Sequence, residues 1–237
     1  VISVITTLYN YRNYIQECIE SYLSQEFPES EMIIVDDAST DNPYEIIKPF
    51  VGEKVRYIRL EENGGYSHAK NVGIRNAKWE ILAMLDADDM LTDGSLRRRY
   101  DKISEGFDFV HGPALNLKDN KISSSKLWKE WMASKKRPEH YRLVHAQSAM
   151  LRKDIHRKIG LYDESLRCKS DREMWARIFY YRFQVGWITE PVAIYRVHPK
   201  QMHKSKWKAK NNDKLQKQVL KKIARRRKDL SDCNFLE

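Results

Sequence analysis

No apolar run in this 237-residue chain approaches the roughly 20 residues needed to cross a bilayer. No signal-peptide pattern follows Val1. Three cysteines, Cys18, Cys168 and Cys233, are odd in number and far apart. That argues against a disulfide framework and a zinc site, and suits a reduced compartment. The glycine-dependent signatures are missing as well. No Gly-x-Gly-x-x-Gly follows a strand, no Gly-x-x-x-x-Gly-Lys-Ser/Thr stands anywhere, and there is no Gly-x-Ser-x-Gly elbow. If a nucleotide binds this chain, carboxylates and a metal must hold it.

What is present is enough apolar material for a core, 41% of residues, in a length that suits one sizeable α/β domain or a domain with an appendage. The net charge of +10 is unevenly placed. Twelve Lys or Arg and a single acid, Asp213, fall between Lys204 and Lys228, and the remainder carries 31 basic and 32 acidic residues. The body is near neutral and the tail holds the charge, which weakens a reading of the whole chain as a nucleic-acid binder.

The first ninety residues alternate strand and helix. Ile2 to Leu8, Met32 to Val35, Val55 to Leu60 and Ile81 to Leu85 read as strands, rich in β-branched or continuous apolar residues. Helices are predicted from about Asn13 to Gln25, with Pro28 beyond the end, after the turn Ala38 to Pro43, and from Ser67 to Asn76. This order implies right-handed βαβ units and a mostly parallel sheet, with the ligand outside the carboxyl ends of the strands. Later come a helix from Thr92 to Ser104 with Thr92 as its cap, a strand from Phe107 to Gly112, and a loosely patterned stretch from Pro113 to Tyr141 that reads as a functional loop. A strand from Ala146 to Leu151, a helix from Asp154 to Ile159 closed by Gly160, and a helix from Asp171 to Tyr181 with Met174, Trp175, Ile178 and Phe179 inward complete the pattern with strands at Val185 to Ile188 and Val192 to Tyr195.

The acids fall where a ligand would. Thr7, Asp36-Asp37 and Asp86-Ala87-Asp88-Asp89 all stand at predicted strand carboxyl ends. Three carboxylates within four positions repel one another and lose hydration, which a divalent cation with oxygen ligands relieves. The bland alternative is a solvated acidic turn.

Taken together and in order, these pieces resemble the inverting family 2 glycosyltransferases of GT-A fold. Val4-Ile5-Thr6-Thr7-Leu8-Tyr9-Asn10 is similar to that family's first strand and Tyr-Asn. Ile33-Ile34-Val35-Asp36-Asp37-Ala38-Ser39-Thr40-Asp41 is similar to its Val-Asp-Asp-Gly-Ser-Thr-Asp segment. Glu62-Asn63-Gly64-Gly65-Tyr66-Ser67-His68-Ala69-Lys70-Asn71-Val72-Gly73 is similar to its Asn-x-Gly and Ala-Arg-Asn-x-Gly segments, and Asp86-Ala87-Asp88 to its Asp-x-Asp. Gly160-Leu161-Tyr162-Asp163-Glu164 and Tyr195-Arg196-Val197-His198-Pro199 also have counterparts, so the resemblance covers Val1 to Pro199.

The resemblance implies a GT-A, Rossmann-like sheet flanked by helices over residues 1–203. Residues 1–112 would form the nucleotide-sugar half, 113–203 the acceptor half, and 204–237 a basic helical tail. It implies a nucleotide-sugar site of Thr7, Tyr9, Asp37, Asn63, Lys70, Asp86, Ala87 and Asp88, with Asp37 accepting from the uracil N3–H. A Mn²⁺ or Mg²⁺ ion would sit on Asp88 and His198. Asp171 would be the general base that lets an acceptor hydroxyl attack the anomeric carbon with inversion. Where that family often has Glu-Asp, this chain has Ser170-Asp171, and Lys70 replaces a frequent Arg. The Gln-x-x-Arg-Trp motif of processive synthases is absent, which favours transfer of one sugar. UDP-sugar is the expected donor, a glycan or other hydroxyl the acceptor, and Trp128 and Trp131 the stacking candidates. No nucleic-acid partner is expected, and the expected location is cytoplasmic.

The residues themselves leave alternatives. Asp37 can cap a helix, Asp171 can serve as a first-turn acid, and His198 can be an ordinary hydrogen-bonded histidine. Leu215, Val219, Leu220 and Ile223 lie on one helical face among Lys217, Lys221, Lys222 and Arg225. Such a helix can lie peripherally on an anionic membrane through 204–228, pack on the domain, or lead into a further domain. A nucleotidyltransferase and a tail-driven binding module are the rival functions. The first is disfavoured because Leu8 to Asn13, after the opening strand, contains no glycine.

Overall fold

Strand β1 (Ile2–Leu8) is buried along its whole length, as expected of a β-branched run flanked by partners on both sides. It pairs in parallel with β2 (Ser30–Asp36) and with β4 (Ile81–Asp86), and β3 (Val55–Arg59) extends β2 in parallel. The computed structural model describes residues 1–124, 144–166, 169–199 and 201, with Lys221 and Arg225. Beyond β4 come β9 (Met150–Arg152), β6 (Phe109–His111) and β10 (Val185–Trp187), giving the order β10-β6-β9-β4-β1-β2-β3. Strand β9 alone runs against its neighbours in this sheet. A second sheet, in the order β5-β11-β7-β8, joins β5 (Met90–Leu91), β11 (Ala193–Arg196), β7 (Ala114–Lys118) and β8 (Lys121–Ser124). It ties residues just after β4 to the end of the described chain.

The two faces of the large sheet hold separate cores. On one, Ile2, Val4, Leu8, Met32 and Ile34 meet Ile15, Cys18, Ile19 and Tyr22 of α1 (Ile15–Leu23) and Leu96 and Ile103 of α4 (Ser95–Ser104). On the other, Ile5, Ile33 and Val35 meet Ala69 and Ile74 of α3 (Tyr66–Asn76) and Met174, Trp175 and Ile178 of α6 (Ser170–Tyr180). Alternation along β1 and β2 makes this division, because successive side chains leave a strand on opposite faces. Helix α3 crosses β1 so closely at Gly73 that a Cβ there would lie 2.5 Å from Ile5 Cγ2. Two further short helices are α2 (Tyr44–Ile47) and α5 (Asp154–Ile159), and Gly160 closes α5 at φ +80 as expected.

Three expectations change. The stretch from Pro113 is not loose at its start: β7 and β8 form a hairpin turned by Asp119 and Asn120, both at positive φ. Two such residues suit the two-residue turn that matches strand twist, and β7 is only half-buried, so its apolar pattern is sparse. The helix predicted from Thr92 starts at Ser95. Thr92 does not cap it; its hydroxyl donates to Pro191 O at 2.6 Å. The strand predicted from Ala146 is a 3₁₀ turn over Ala146–Ser148, followed by β9. Trp128, Trp131 and the tail from Lys204, Lys221 and Arg225 excepted, lie outside the described residues. Among the described residues, no helix is long and apolar enough to cross a membrane.

Helix α6 is latched from beneath. Arg177 donates to Glu173 Oε2 through Nε at 3.1 Å and Nη2 at 2.9 Å, to Ile159 O at 2.5 Å, and to Leu161 O at 2.8 Å. Both members of this ion pair are buried. Removing one member leaves the other charge without compensation. Arg177→Met is therefore expected to lower the unfolding free energy by about 3–5 kcal/mol, read by urea denaturation; a loss under about 1 kcal/mol would show that Glu173 is served by other partners.

Candidate active site

Parallel pairing brings the strand carboxyl ends to one rim. Thr7 stands opposite Asp86 in the β1–β4 register, and Leu8 opposite Asp36 in the β1–β2 register. Above that rim opens a cleft of about 1160 Å³ lined by Thr7, Tyr9, Asp37, Asn63, Tyr66, Asp86, Asp88, Asp89, His145, Gln147, Asp171 and Arg172, among others. The expected acids thus meet around one cavity, although they come from three separate parts of the chain.

The neighbouring acids Asp36 and Asp37 divide their work. Asp36 turns under the sheet edge, where its carboxylate accepts from Ser39 N at 2.8 Å, Arg59 Nη1 at 2.7 Å and the Tyr57 hydroxyl. Asp37 faces the cleft and accepts from Gly64 N and Gly65 N, each at 2.8 Å, one on each oxygen. Asn63 Nδ2 donates to Asp37 O at 3.1 Å. Asp37 thus pins the loop that opens α3, and it caps no helix of its own; each oxygen keeps a second lone pair. Tyr9 is exposed at the mouth, 45% accessible. Ala87 is wholly buried.

The acids after β4 are held by the far end of the described chain. Asp88 Oδ2 lies 3.0 Å from His198 Nε2, and the His198 ring lies against Tyr14, centroids 4.5 Å apart. Asp89 Oδ1 accepts from Arg196 N at 2.9 Å, and Arg196 Nε donates to Asp88 O at 3.0 Å. Burial pushes the Asp88 carboxyl up, its neighbour Asp86 adds to this, and His198 opposes it. Burial, then Asp88 and Asp86, push Asp89 well above the ordinary carboxylate range. This is the electrostatic state that a cation would relieve. Asp88 and His198 offer an oxygen and a nitrogen donor side by side. Among the described residues no group of three or more His, Cys, Asp or Glu could hold a metal ion. The donor set therefore fits an ion completed by a ligand's phosphates and water, rather than a closed protein cage.

Asp171 enters the same cleft from the first turn of α6. The Tyr66 hydroxyl is 3.2 Å from its Oδ1 and 3.1 Å from Asp86 Oδ1. Burial raises the Asp171 carboxyl above its usual range; Lys70 counters this and Asp86 adds to it. Lys70, expected at the nucleotide, is fully buried behind the wall, with Nζ 3.5 Å from Asp86 Oδ1 and 3.6 Å from Asp171 Oδ1.

Sequence reasoning missed Tyr66, which reads as an ordinary helix residue until its hydroxyl is seen between two carboxylates. It also missed Gln147, a buried residue of the cleft wall whose Nε2 has no hydrogen-bond partner. Nothing local distinguishes either. The register of β9 on β4 carries the chain back towards Asp86, with Met84 N donating to Ala149 O at 2.9 Å, and so brings Gln147 to the rim.

The sequence model described as Glycosyl transferase family 2 matches residues 3–160. The chain is 38% identical over 107 residues to glycosyltransferase GlyG of Streptococcus pneumoniae serotype 4, a match covering 44% of this chain and 36% of that protein. It spans 36%, 58% and 57% of the lengths of the first three curated relatives it matches. In fold it is similar to residues 1–349 of S. aureus TarS in complex with UDP, with a TM-score of 0.73 at 21% identity, covering 94% of this chain and 64% of that one. It is also similar to the mannosyltransferase PcManGT of Pyrobaculum calidifontis in complex with GDP-Man and Mn²⁺, with a TM-score of 0.69 at 18% identity, covering 85% and 58%.

One residue of the rim is strained. Ala38, directly after Asp37, sits at φ +58 in the left-handed region. That conformation costs an L-residue about 1–2 kcal/mol, partly offset in any glycine replacement by a freer unfolded chain. Ala38→Gly is expected to raise stability by about 0.5–1 kcal/mol. A lower melting temperature for the variant would show that the Ala38 methyl makes contacts worth more than the strain.

Proposed function

This chain belongs to glycosyl transferase family 2, and we propose that it transfers a single sugar from a nucleoside-diphosphate donor, a UDP-sugar, to an acceptor hydroxyl with inversion at the anomeric carbon. The observation that carries this reading is the meeting of two carboxylate sets in one cleft: Asp86 and Asp88 at the β4 rim, and Asp171 from the start of α6, joined to Asp86 through the Tyr66 hydroxyl. One set suits a charged leaving group and its counter-ion, the other an acceptor's proton. The UDP and GDP-Man of the two structural neighbours support a nucleotide-linked donor.

In this reading the nucleoside lies over Thr7, Tyr9, Asp37 and Asn63. The base N–H meets a free lone pair of Asp37, whose other lone pairs fix the Gly64-Gly65 loop as the pocket floor. The diphosphate lies towards Asp86 and Asp88. Asp88 and His198 would hold a Mn²⁺ or Mg²⁺ ion, which supplies charge neutralisation to the departing diphosphate. Asp171 accepts the proton of the acceptor hydroxyl. The oxygen so freed forms a bond to the anomeric carbon from the face opposite the diphosphate, and the electrons of the breaking carbon–oxygen bond leave with the nucleoside diphosphate. A carboxyl pushed up by burial is a better base near neutral pH than an ordinary aspartate.

Two outcomes test this. With UDP and Mn²⁺ at about a hundred times the dissociation constant, thermal unfolding is expected to show stabilisation of about 2.7 kcal/mol. Asp88→Asn is expected to erase the Mn²⁺-dependent part; an unchanged metal effect would remove Asp88 from the ion site. Asp171→Asn is expected to keep UDP binding and lower turnover of a UDP-sugar by about 10²–10⁴-fold. Near-normal turnover would take the base role away from Asp171.

A further inference from the structure

Lys70 is a buried cation with an unusual setting. It has no accessible surface and does not line the cleft. Its Nζ stands 3.5 Å from Asp86 Oδ1 and 3.6 Å from Asp171 Oδ1, 4.5 Å from the centre of the Tyr66 ring and 5.7 Å from that of Tyr162. No hydrogen bond of ordinary length holds the ammonium. It is placed by charge and by the two ring faces. The Tyr66 hydroxyl reaches the same two carboxylate oxygens, but a hydroxyl has one proton and satisfies one carboxylate at a time. The ammonium is the group that can serve both.

We propose that Lys70 is a positioning residue which holds Asp171 charged and in place, and links it to Asp86 at the donor end, without touching the nucleotide. This rests on Asp171 being the base. Desolvation and the neighbouring Asp86 both disfavour the ionised form of Asp171, and the Lys70 ammonium 3.6 Å away favours it. With Lys70 present, the base is available; without it, a proton takes its place and the base is blocked.

The groups that face Asp171 from its surroundings are Lys70 and Tyr66 on α3, Asp86 on β4, and Tyr162 on the segment before α6. Arg172 on α6 and Lys169 just before it adjoin it, and His145 and Gln147 line the same cleft. Among the described residues, only Lys70 combines a positive charge with full burial beside the Oδ1 atom.

The test uses the full chain with Lys70→Met, Lys70→Gln and Lys70→Arg. The Asp171 carboxyl is followed by ¹³C NMR titration without substrate, its signal assigned by loss in Asp171→Asn. Both neutral variants are expected to raise its titration midpoint by about 1–3 pH units, and Lys70→Arg to stay close to the wild type. Since the base works only when ionised, the acid limb of kcat/KM for a UDP-sugar is expected to move up with it, so that activity lost at low pH returns as pH rises. An unmoved Asp171 midpoint in a folded neutral variant overturns the proposal. So does a loss of UDP affinity with an unmoved midpoint, which would make Lys70 a nucleotide contact. A wild-type chain that turns over no nucleotide sugar while the midpoint still shifts would defeat the transferase reading and leave the pairing of Lys70 with Asp171 standing.

Discussion

Carboxylate crowding at one rim of the sheet is the constraint that the rest of the molecule answers. Asp37, Asp86, Asp88, Asp89 and Asp171 all reach a single cleft. A parallel sheet makes this crowding, since it delivers the ends of β1, β2 and β4 to the same edge. Each acid is then held by a different device. Asp37 takes two backbone N–H groups, Asp88 a histidine, Asp89 the N–H of Arg196, and Asp86 and Asp171 share Lys70 and Tyr66. The second sheet follows from the same need. Pairing of β11 with β5 carries Arg196 and His198 back onto Asp88 and Asp89, more than a hundred residues away in sequence.

These devices sort the acids into two sets. Asp88 and Asp89 are buried side by side; burial and the neighbouring Asp86 raise both, Asp88 adds to the rise of Asp89, and His198 and the Arg196 backbone compensate only in part. This pair stores a demand for positive charge. Asp171 has its cation, Lys70, already in place within the fold.

Much of this was legible in the sequence because it depends on periodicity. The strands of the first half, helices α1, α3, α5 and α6, and the clustering of acids at strand ends follow from apolar runs and their limits. What stayed hidden depends on contacts between distant segments. Nothing in Asp36-Asp37 says which acid faces the cleft. The pleat sends them to opposite sides, and only the presence of Arg59 and Tyr57 under one of them decides it. Lys70, expected at the nucleotide, shows its burial beside Asp86 and Asp171 only in the fold. The turn at Asp119-Asn120 carried a local signal that the sparse apolar pattern of its strands concealed. The two-residue β5 has no pattern at all, being defined by what pairs with it.

Helix α3 shows how densely such functions can be packed. Tyr66 and Lys70, four residues apart, present to Asp86 and Asp171. Ser67 and Asn71, also four apart, present to the segment before α6: Ser67 donates to Leu166 O at 3.3 Å, Asn71 donates to Tyr162 O at 2.9 Å and Glu164 Oε1 at 2.7 Å, and Tyr162 N donates back to Asn71 Oδ1 at 2.9 Å. Gly73 lets the whole helix lie against β1. One turn spacing thus serves the acids and the next serves the scaffold that carries Asp171. Arg177 fastens the other side of that scaffold to Ile159 and Leu161. Asp171 is therefore placed by α3 twice, directly through Lys70 and Tyr66 and indirectly through the clamped 159–166 segment. A carboxylate on a helix of its own would be free to drift relative to the β4 rim; tied in this way, Asp86 and Asp171 are referred to one element, α3, which sets the spacing between them.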